Sequence, residues 1–183
     1  MVGWCLSGFK TNGQNEFISI SDQNWYELPM NIRPIIRADL AQLKAIITAT
    51  DLFPAESLDA MVEGFLRGET TEEHWLTIDD SEPTAIAYFR PEPVTNGTWN
   101  LLLIAVHPEI QSKGIGSALT KHIEKFLADR GARLLLVETS GSPDFESQRR
   151  FYRNLGYEEE ARIRNFYDDG EDKIVFCKAL QRA

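Results

Sequence analysis

The chain has little cysteine, too little positive charge to balance its acids, and no long apolar run. Its two cysteines, Cys5 and Cys177, sit at opposite ends of the 183 residues and form no metal-binding or redox spacing. A disulfide framework is excluded, and the expectation is a reducing, cytoplasmic setting with no metal. The longest uninterrupted apolar stretch, Leu101–Val106, is far short of the roughly 20 residues that a membrane helix needs. Residues 1–20 lack both the basic start and the apolar stretch of a secretory signal. Nineteen Lys and Arg face 28 Asp and Glu, a net charge of −9, which argues against a nucleic-acid partner. Repeats and low-complexity segments are missing as well.

What is present is the composition of an ordinary globule, 43% hydrophobic and 26% charged. The length suits one domain that buries its core without staples. The charge is uneven. Residues 1–100 hold six basic and fifteen acidic side chains, residues 101–157 hold eight and six, and residues 158–183 hold five and seven. The middle segment alone is suited to an anion.

Residues 1–28 are polar with scattered aromatics, and Glu16–Ile20 is a short strand candidate. A regular pattern begins near Met30, so the chain divides into an extension, residues 1–29, and a domain, residues 30–183. Asn31–Ile36 reads as a strand, and Pro34 places it at an edge. Asp39 resembles an N-cap for a helix with Leu40, Leu43, Ile46 and Ile47 at helical spacing. A second helix spans Ser57–Phe65 and ends at Gly68. Strands are expected at Trp75–Ile78, Thr84–Phe89 and Trp99–Val106, the last continuous and mostly apolar and so expected to be buried on both faces. A helix over about 114–129 closes at Gly131. Then come a strand at Leu134–Val137, a helix at Asp144–Asn154 stopped by Gly156, and strands at Tyr157–Phe166 and Lys173–Leu180. Alternation of strand and helix in the middle implies an α/β sheet with parallel neighbours.

The sharpest feature is the run Val106-His107-Pro108-Glu109-Ile110-Gln111-Ser112-Lys113-Gly114-Ile115-Gly116-Ser117-Ala118. A buried strand enters a tight turn, and glycines then open an amphipathic helix. The first N–H groups of that helix have no internal partner, and the helix dipole adds positive character there. Gly114 and Gly116 keep side chains out of the way, while Lys113, Ser112 and Ser117 add donors. Such a turn suits a pyrophosphate. Taken alone it is equally a plain strand-to-helix turn packed closely by glycines. The third glycine of a dinucleotide fingerprint is missing, since position 119 is Leu, and no G-x-x-x-x-G-K-[ST] loop occurs.

Gln-x-x-Gly-x-Gly after a buried strand resembles the acetyl-CoA motif of the GCN5-related N-acetyltransferase (GNAT) superfamily. Phe151-Tyr152-Arg153-Asn154-Leu155-Gly156-Tyr157 matches that family's F-Y-x-x-x-G-[FY] signature, and the resemblance covers about residues 30–180. It implies a mixed central sheet flanked by helices, with splayed parallel strands at the cofactor site. It also implies acetyl-CoA as cosubstrate: the backbone of Ile104, Ala105 and Val106 would meet pantetheine, and Ser112, Lys113, Gly114, Ile115, Gly116 and Ser117 would hold the pyrophosphate. Direct transfer to an amine needs an unprotonated amine, a polarised carbonyl and an acid for the thiolate. Tyr152 stands at the family's acid position. The plainer reading is a core aromatic, but Phe151 and Leu155 form the apolar i,i+4 pair and Tyr152 falls one step off it. Glu138, at the carboxyl edge of the Leu134–Val137 strand, is the candidate base, or else a strand-end charge in solvent. His107 is a lesser substitute. Relatives with a Glu on the preceding strand have no counterpart at Trp99-Asn100. The Asn that many members carry seven residues before the tyrosine is Phe145 here, and the loop Thr139–Asp144 looks lengthened.

The acidity of the first hundred residues and of the Asp168–Asp172 loop leads to an expected cationic acceptor, a small primary amine. The alternatives are a protein or peptide N-terminal acetyltransferase of the ribosomal-protein alanine type, which the final hairpin resembles, and a non-catalytic acyl-CoA-binding module. Partners would be acetyl-CoA and the amine, with no nucleic acid and no membrane, and a homodimer is left open.

Overall fold

The structure is a computed structural model that describes Trp4, Cys5 and residues 30–180. The strand candidate Glu16–Ile20 lies outside the described residues. Strand β1 (Trp4–Cys5) is followed by β2 (Asn31–Pro34), helices α1 (Leu40–Thr50) and α2 (Ser57–Leu66), then β3 (His74–Asp80), β4 (Glu82–Pro91) and β5 (Thr98–Val106). Helix α3 (Ile115–Ala128), β6 (Leu134–Ser140), α4 (Glu146–Asn154), β7 (Glu158–Asp168) and β8 (Glu171–Ala179) complete the chain. The sheet runs β2-β3-β4-β5-β6-β8-β7, with β1 beside β5. Strand β2 is at an edge, as Pro34 requires.

Two cores lie on opposite faces of this sheet. One gathers Leu119, Ile123 and Leu127 of α3 with Phe89, Ile104, Val137, Tyr152 and Phe176. The other gathers Leu43, Ile46 and Ile47 of α1 and Leu58 and Val62 of α2 with Trp75, Tyr88 and Leu103. Each fully buried aliphatic side chain contributes about 1.5–3 kcal/mol. Asp39 precedes α1 as expected but does not cap it with its side chain. Its carboxylate accepts from Arg33 at 2.8 and 2.9 Å and from the Ile36 N–H at 2.8 Å. A nearby guanidinium competes more strongly for the carboxylate than the helix amides do, and it holds that carboxyl below its usual range.

The feature that places the site is a splay. All pairs are antiparallel except β1–β5 and β5–β6. The β5–β6 ladder joins Thr98–Leu101 to Leu134–Val137 and goes no further. On the other side of β5 the register skips Leu102, because Phe89 opposes Leu101 while Tyr88 opposes Leu103. A bulge bends its strand, and this one falls where β6 departs. Beyond it Glu138, Thr139 and Ser140 pair only with β8, opposite Val175, Ile174 and Lys173. Cys5 lies opposite Ile104 on the freed edge of β5.

Candidate active site

The turn after β5 is built from its own sequence. Pro108 starts a short 3-10 turn, and His107 caps it through Nδ1, which accepts from the Glu109 N–H at 3.4 Å. That contact makes His107 a part of the turn. Gln111 then donates from Nε2 to the Val106 carbonyl at 2.9 Å, closing the loop across its base. Ser112 and Gly114 both take positive φ, 63° and 81°. A Cβ at Gly114 would meet nothing within 4 Å. Glycine suits this position for its conformation, and the space beside it is open. At Gly116 a Cβ would lie 3.5 Å from the Phe151 ring and 3.7 Å from Val106, ordinary van der Waals contact, so the packing of α3 against α4 leaves room for a methyl group there.

A cleft of about 480 Å³ opens at the start of α3. Its walls bring Val106, Ser112, Gly114, Ile115, Gly116 and Ser117 together with Gln111. Lys113 is exposed and does not line it, nor do Ile104 and Ala105. Three lining residues of α4, Ser147, Arg150 and Asn154, are absent from the sequence expectation. Arg150 is the one cation on the wall. A signal for it does exist, because positions 147, 150, 151 and 154 share a helix face at spacings of three and four.

Helix α4 buries a different stripe from the one its apolar residues suggest. Gln148, Arg149 and Tyr152 are buried, whereas Phe151 and Leu155 are only partly so. The cause is Arg149, whose Nη1 donates to the carbonyls of Ser140 (2.6 Å) and Ser142 (2.8 Å) while Nε and Nη2 hold Glu146 (3.0 and 2.8 Å). A guanidinium satisfied in this way can be buried, and it pins the lengthened connection between β6 and α4. Gly141 completes the fixture. Its N–H donates to the Asp172 carbonyl at 2.7 Å, and a Cβ there would come within 3.2 Å of Asp172. Phe145 is half-buried and does not reach the cleft.

Tyr152 is fully buried, with ring centroids of Phe151, Tyr157 and Phe176 at 5.1, 5.5 and 6.0 Å. Its placement off the apolar pair therefore does not keep it out of the core. Glu138 lies on the opposite face of the sheet from Val137 and Thr139, just past the last β5–β6 pair. Its Oε2 accepts from Lys173 Nζ at 2.9 Å, so it is not a bare strand-end charge in solvent. Two of the four carboxylates of the acidic hairpin loop are used internally. Asp172 accepts from the Asn165 N–H (3.1 Å) and from Arg162 (3.1 Å), and Asp168 from the Asp169 N–H (2.8 Å). The Asn165 N–H, and then Arg162, hold the Asp172 carboxyl below the usual carboxylate range against the opposing effect of burial. Asn100, buried on β5, donates to Glu92 at 2.8 Å. Among the described residues no cluster of His, Cys, Asp and Glu could hold a metal ion, and no helix is long and apolar enough to cross a membrane.

A strand splayed from its parallel neighbour, with a glycine-opened helix at its end, is the arrangement that the resemblance to the acetyl-CoA-using family implies. Residues 70–159 match the acetyltransferase (GNAT) domain. A GNAT-family protein from Desulfovibrio desulfuricans superposes with a TM-score of 0.76 at 30% identity, over 82% of this chain and 99% of that one. This chain belongs to the GNAT family and is an acetyl-CoA-dependent acetyltransferase. It is similar to the [ribosomal protein bS18]-alanine N-acetyltransferase of Escherichia coli, 29% identical over 139 residues, 72% of this chain and 93% of that one. An uncharacterized N-acetyltransferase of Methanocaldococcus jannaschii is 33% identical over 90 residues. That match takes in 48% of this chain and spans about half, 55%, of the relative.

Proposed function

We propose that the chain transfers the acetyl group of acetyl-CoA directly to a primary amine held in the same complex. The observation that carries this reading is the wedge between β5 and β6, which has the phosphate turn at one side and Glu138 at its inner end. In this reading the free edge of β5 from Ile104 to Val106 meets the pantetheine amides. Cys5 now lies opposite Ile104, so the cofactor would replace that pairing. The α3 N-terminus from Ser112 to Ser117 holds the pyrophosphate with amide donors and helix dipole. Arg150 supplies the charge that the sequence pattern assigns to Lys113.

Glu138 takes the proton of the attacking amine, and Tyr152 returns one to the departing thiolate. A phenol with an ordinary pKa of about 10 is a competent donor at neutral pH. Residues 1–29 are an extension to the domain, and the protein works as a cytoplasmic enzyme.

Two acceptor classes divide the expectation. The acidic hairpin points to a small cationic amine, but Asp168 and Asp172 are engaged within it and Glu138 is matched by Lys173. This favours an acceptor read by shape and main chain, the N-terminal amine of a polypeptide. The E. coli relative carries such an activity in its name. Thiol release from acetyl-CoA against an Ala-initiated peptide and a diamine tests the pair. Turnover of the peptide with none of the diamine is expected, and the reverse would restore the cationic reading. No release with any amine would favour an acyl-CoA-binding module. Tyr152→Phe should lower kcat about 10²–10⁴-fold with the melting temperature nearly kept. Unchanged turnover would remove Tyr152 as the acid.

A further inference from the structure

We propose that Lys173 is a positioning residue for the transfer: its ammonium, held between the Glu138 carboxylate and the Phe166 ring, fixes Oε2 and leaves Oε1 for the acceptor amine. The proposal rests on Glu138 as the base, and it adds a second residue that no motif of the chain marks.

The geometry begins in the sheet. Glu138 lies opposite Val175 and Lys173 lies opposite Ser140, so the two side chains are diagonal neighbours on one face of the β6–β8 ladder. Nζ approaches Oε2 to 2.9 Å, and the side chains are 12% and 20% exposed. Among the described residues this is the ion pair in which neither side chain exceeds 20% exposure; the others each have a partner at 25% or more. Partial removal from water strengthens the attraction, and it also orders two long side chains that would otherwise be free to turn.

A second contact sets this pair apart from an ordinary cross-strand bridge. Nζ stands 4.2 Å from the centroid of the Phe166 ring. The ring reaches it because β7 leaves its ladder with β8 between Ile163 and Asp168. Asn165 takes a left-handed conformation there (φ 51°). Its side chain accepts from the Gly170 N–H at 2.9 Å, and its own N–H donates to Asp172 at 3.1 Å. The excursion leaves Phe166 48% exposed, which a bridge between strands would not require. Facing the ring, the ammonium gains a cation–π contact and is confined on two sides.

A carboxylate that must meet an amine within hydrogen-bond distance is useful only if its rotamer is held. Lys173 neither gives nor takes the proton. That proton passes from the amine to Glu138 while nitrogen forms its bond to the acetyl carbon, and the carbon–sulfur bond breaks with the electron pair leaving on the thiolate.

The test uses the full chain, acetyl-CoA and the Ala-initiated peptide or diamine that turns over. It reads kcat, the KM for acetyl-CoA and the melting temperature of Lys173→Met, Lys173→Arg, Phe166→Ala and Glu138→Gln. Lys173→Met should lower kcat at least ten-fold with the KM for acetyl-CoA within two-fold of wild type. Lys173→Arg, which keeps the charge, should recover most of that loss, and Phe166→Ala should lower kcat a few-fold. Wild-type kcat in Lys173→Met, with Glu138→Gln inactive, would overturn the role of Lys173 and leave that of Glu138 standing. A fall of kcat in Lys173→Met that only tracks the folded fraction would overturn it equally. Full activity in Glu138→Gln would overturn the base itself and this proposal with it.

Discussion

Around the turn after β5, the groups arranged for an anion come from one continuous segment, residues 106–117, and are mostly main-chain amides and small side chains, joined by one face of α4. On the other face of the sheet, the groups gathered at the end of β6 come from strands 35 residues apart and act through side chains, Glu138 with Lys173 beneath Phe166. The first arrangement is held by backbone conformation, with Ser112 and Gly114 at positive φ and Gln111 closing the loop. The second depends on rotamers. In the proposed reading the donor is met mainly by backbone, whereas the base that meets the acceptor is held by side chains.

The comparison can be broken most directly at Glu138. Glu138→Gln should lower kcat about 10²–10⁴-fold with the KM for acetyl-CoA unchanged, because in the proposed reading it serves only the acceptor side. A rise in that KM would join the donor and acceptor sides into one. Next in size, Arg150→Ala should raise the KM for acetyl-CoA about ten-fold with kcat kept, the loss of roughly one charge-assisted hydrogen bond. Equal kinetics would leave the cleft wall to amides alone.

Much of the donor side is legible in the sequence because its rules are local. Gly114, Gly131 and Gly156 all take positive φ, each at a helix boundary that the sequence pattern marks. Pro34 marks an edge, and the longest apolar run, Leu101–Val106, falls within β5. Errors arise where a distant charged group outbids a local rule. Asp39 serves Arg33 instead of capping α1, and the carbonyls of Ser140 and Ser142 draw Arg149 inward and turn α4. The Glu138–Lys173 pair is illegible for the same reason, since only the β6–β8 register brings the two together.

A smaller effect should separate conformation from contact within the turn. Gly114→Ala would hold an L-residue at φ 81°, at a cost of about 1–2 kcal/mol. Because no atom lies within reach of the new methyl group, Ala and Ser at this position should destabilise alike in thermal unfolding. A large difference between them would point to a steric role.

The smallest expected effect lies away from both sides. His74 stacks on Phe89 and Trp99 with centroids at 5.1 and 5.6 Å and meets the Phe126 edge at 5.0 Å. Burial, and then the Arg130 charge, push its pKa below 6.5. The unfolded chain therefore binds the proton first. The contribution to stability is full above about pH 6.5 and is lost as pH falls from there through the folded value. The melting temperature should decline between pH 7.5 and 5.5, and His74→Phe should flatten that decline. His122, also lowered by burial, leaves a residual slope of the same sign. A decline untouched by His74→Phe would place the titration elsewhere.

The four-residue ladder between β5 and β6 has a mechanical meaning. Strands β2–β5 and β6–β8 are each sewn internally by antiparallel pairs, and along the central path of the sheet Thr98–Leu101 against Leu134–Val137 is the sole seam between the halves among the described residues. A seam so short is a line of weakness. A ligand that bridges the wedge adds stitches to it and raises the unfolding free energy in proportion to the logarithm of its concentration over Kd. In the proposed reading the cosubstrate thus also acts as a fastener across that seam.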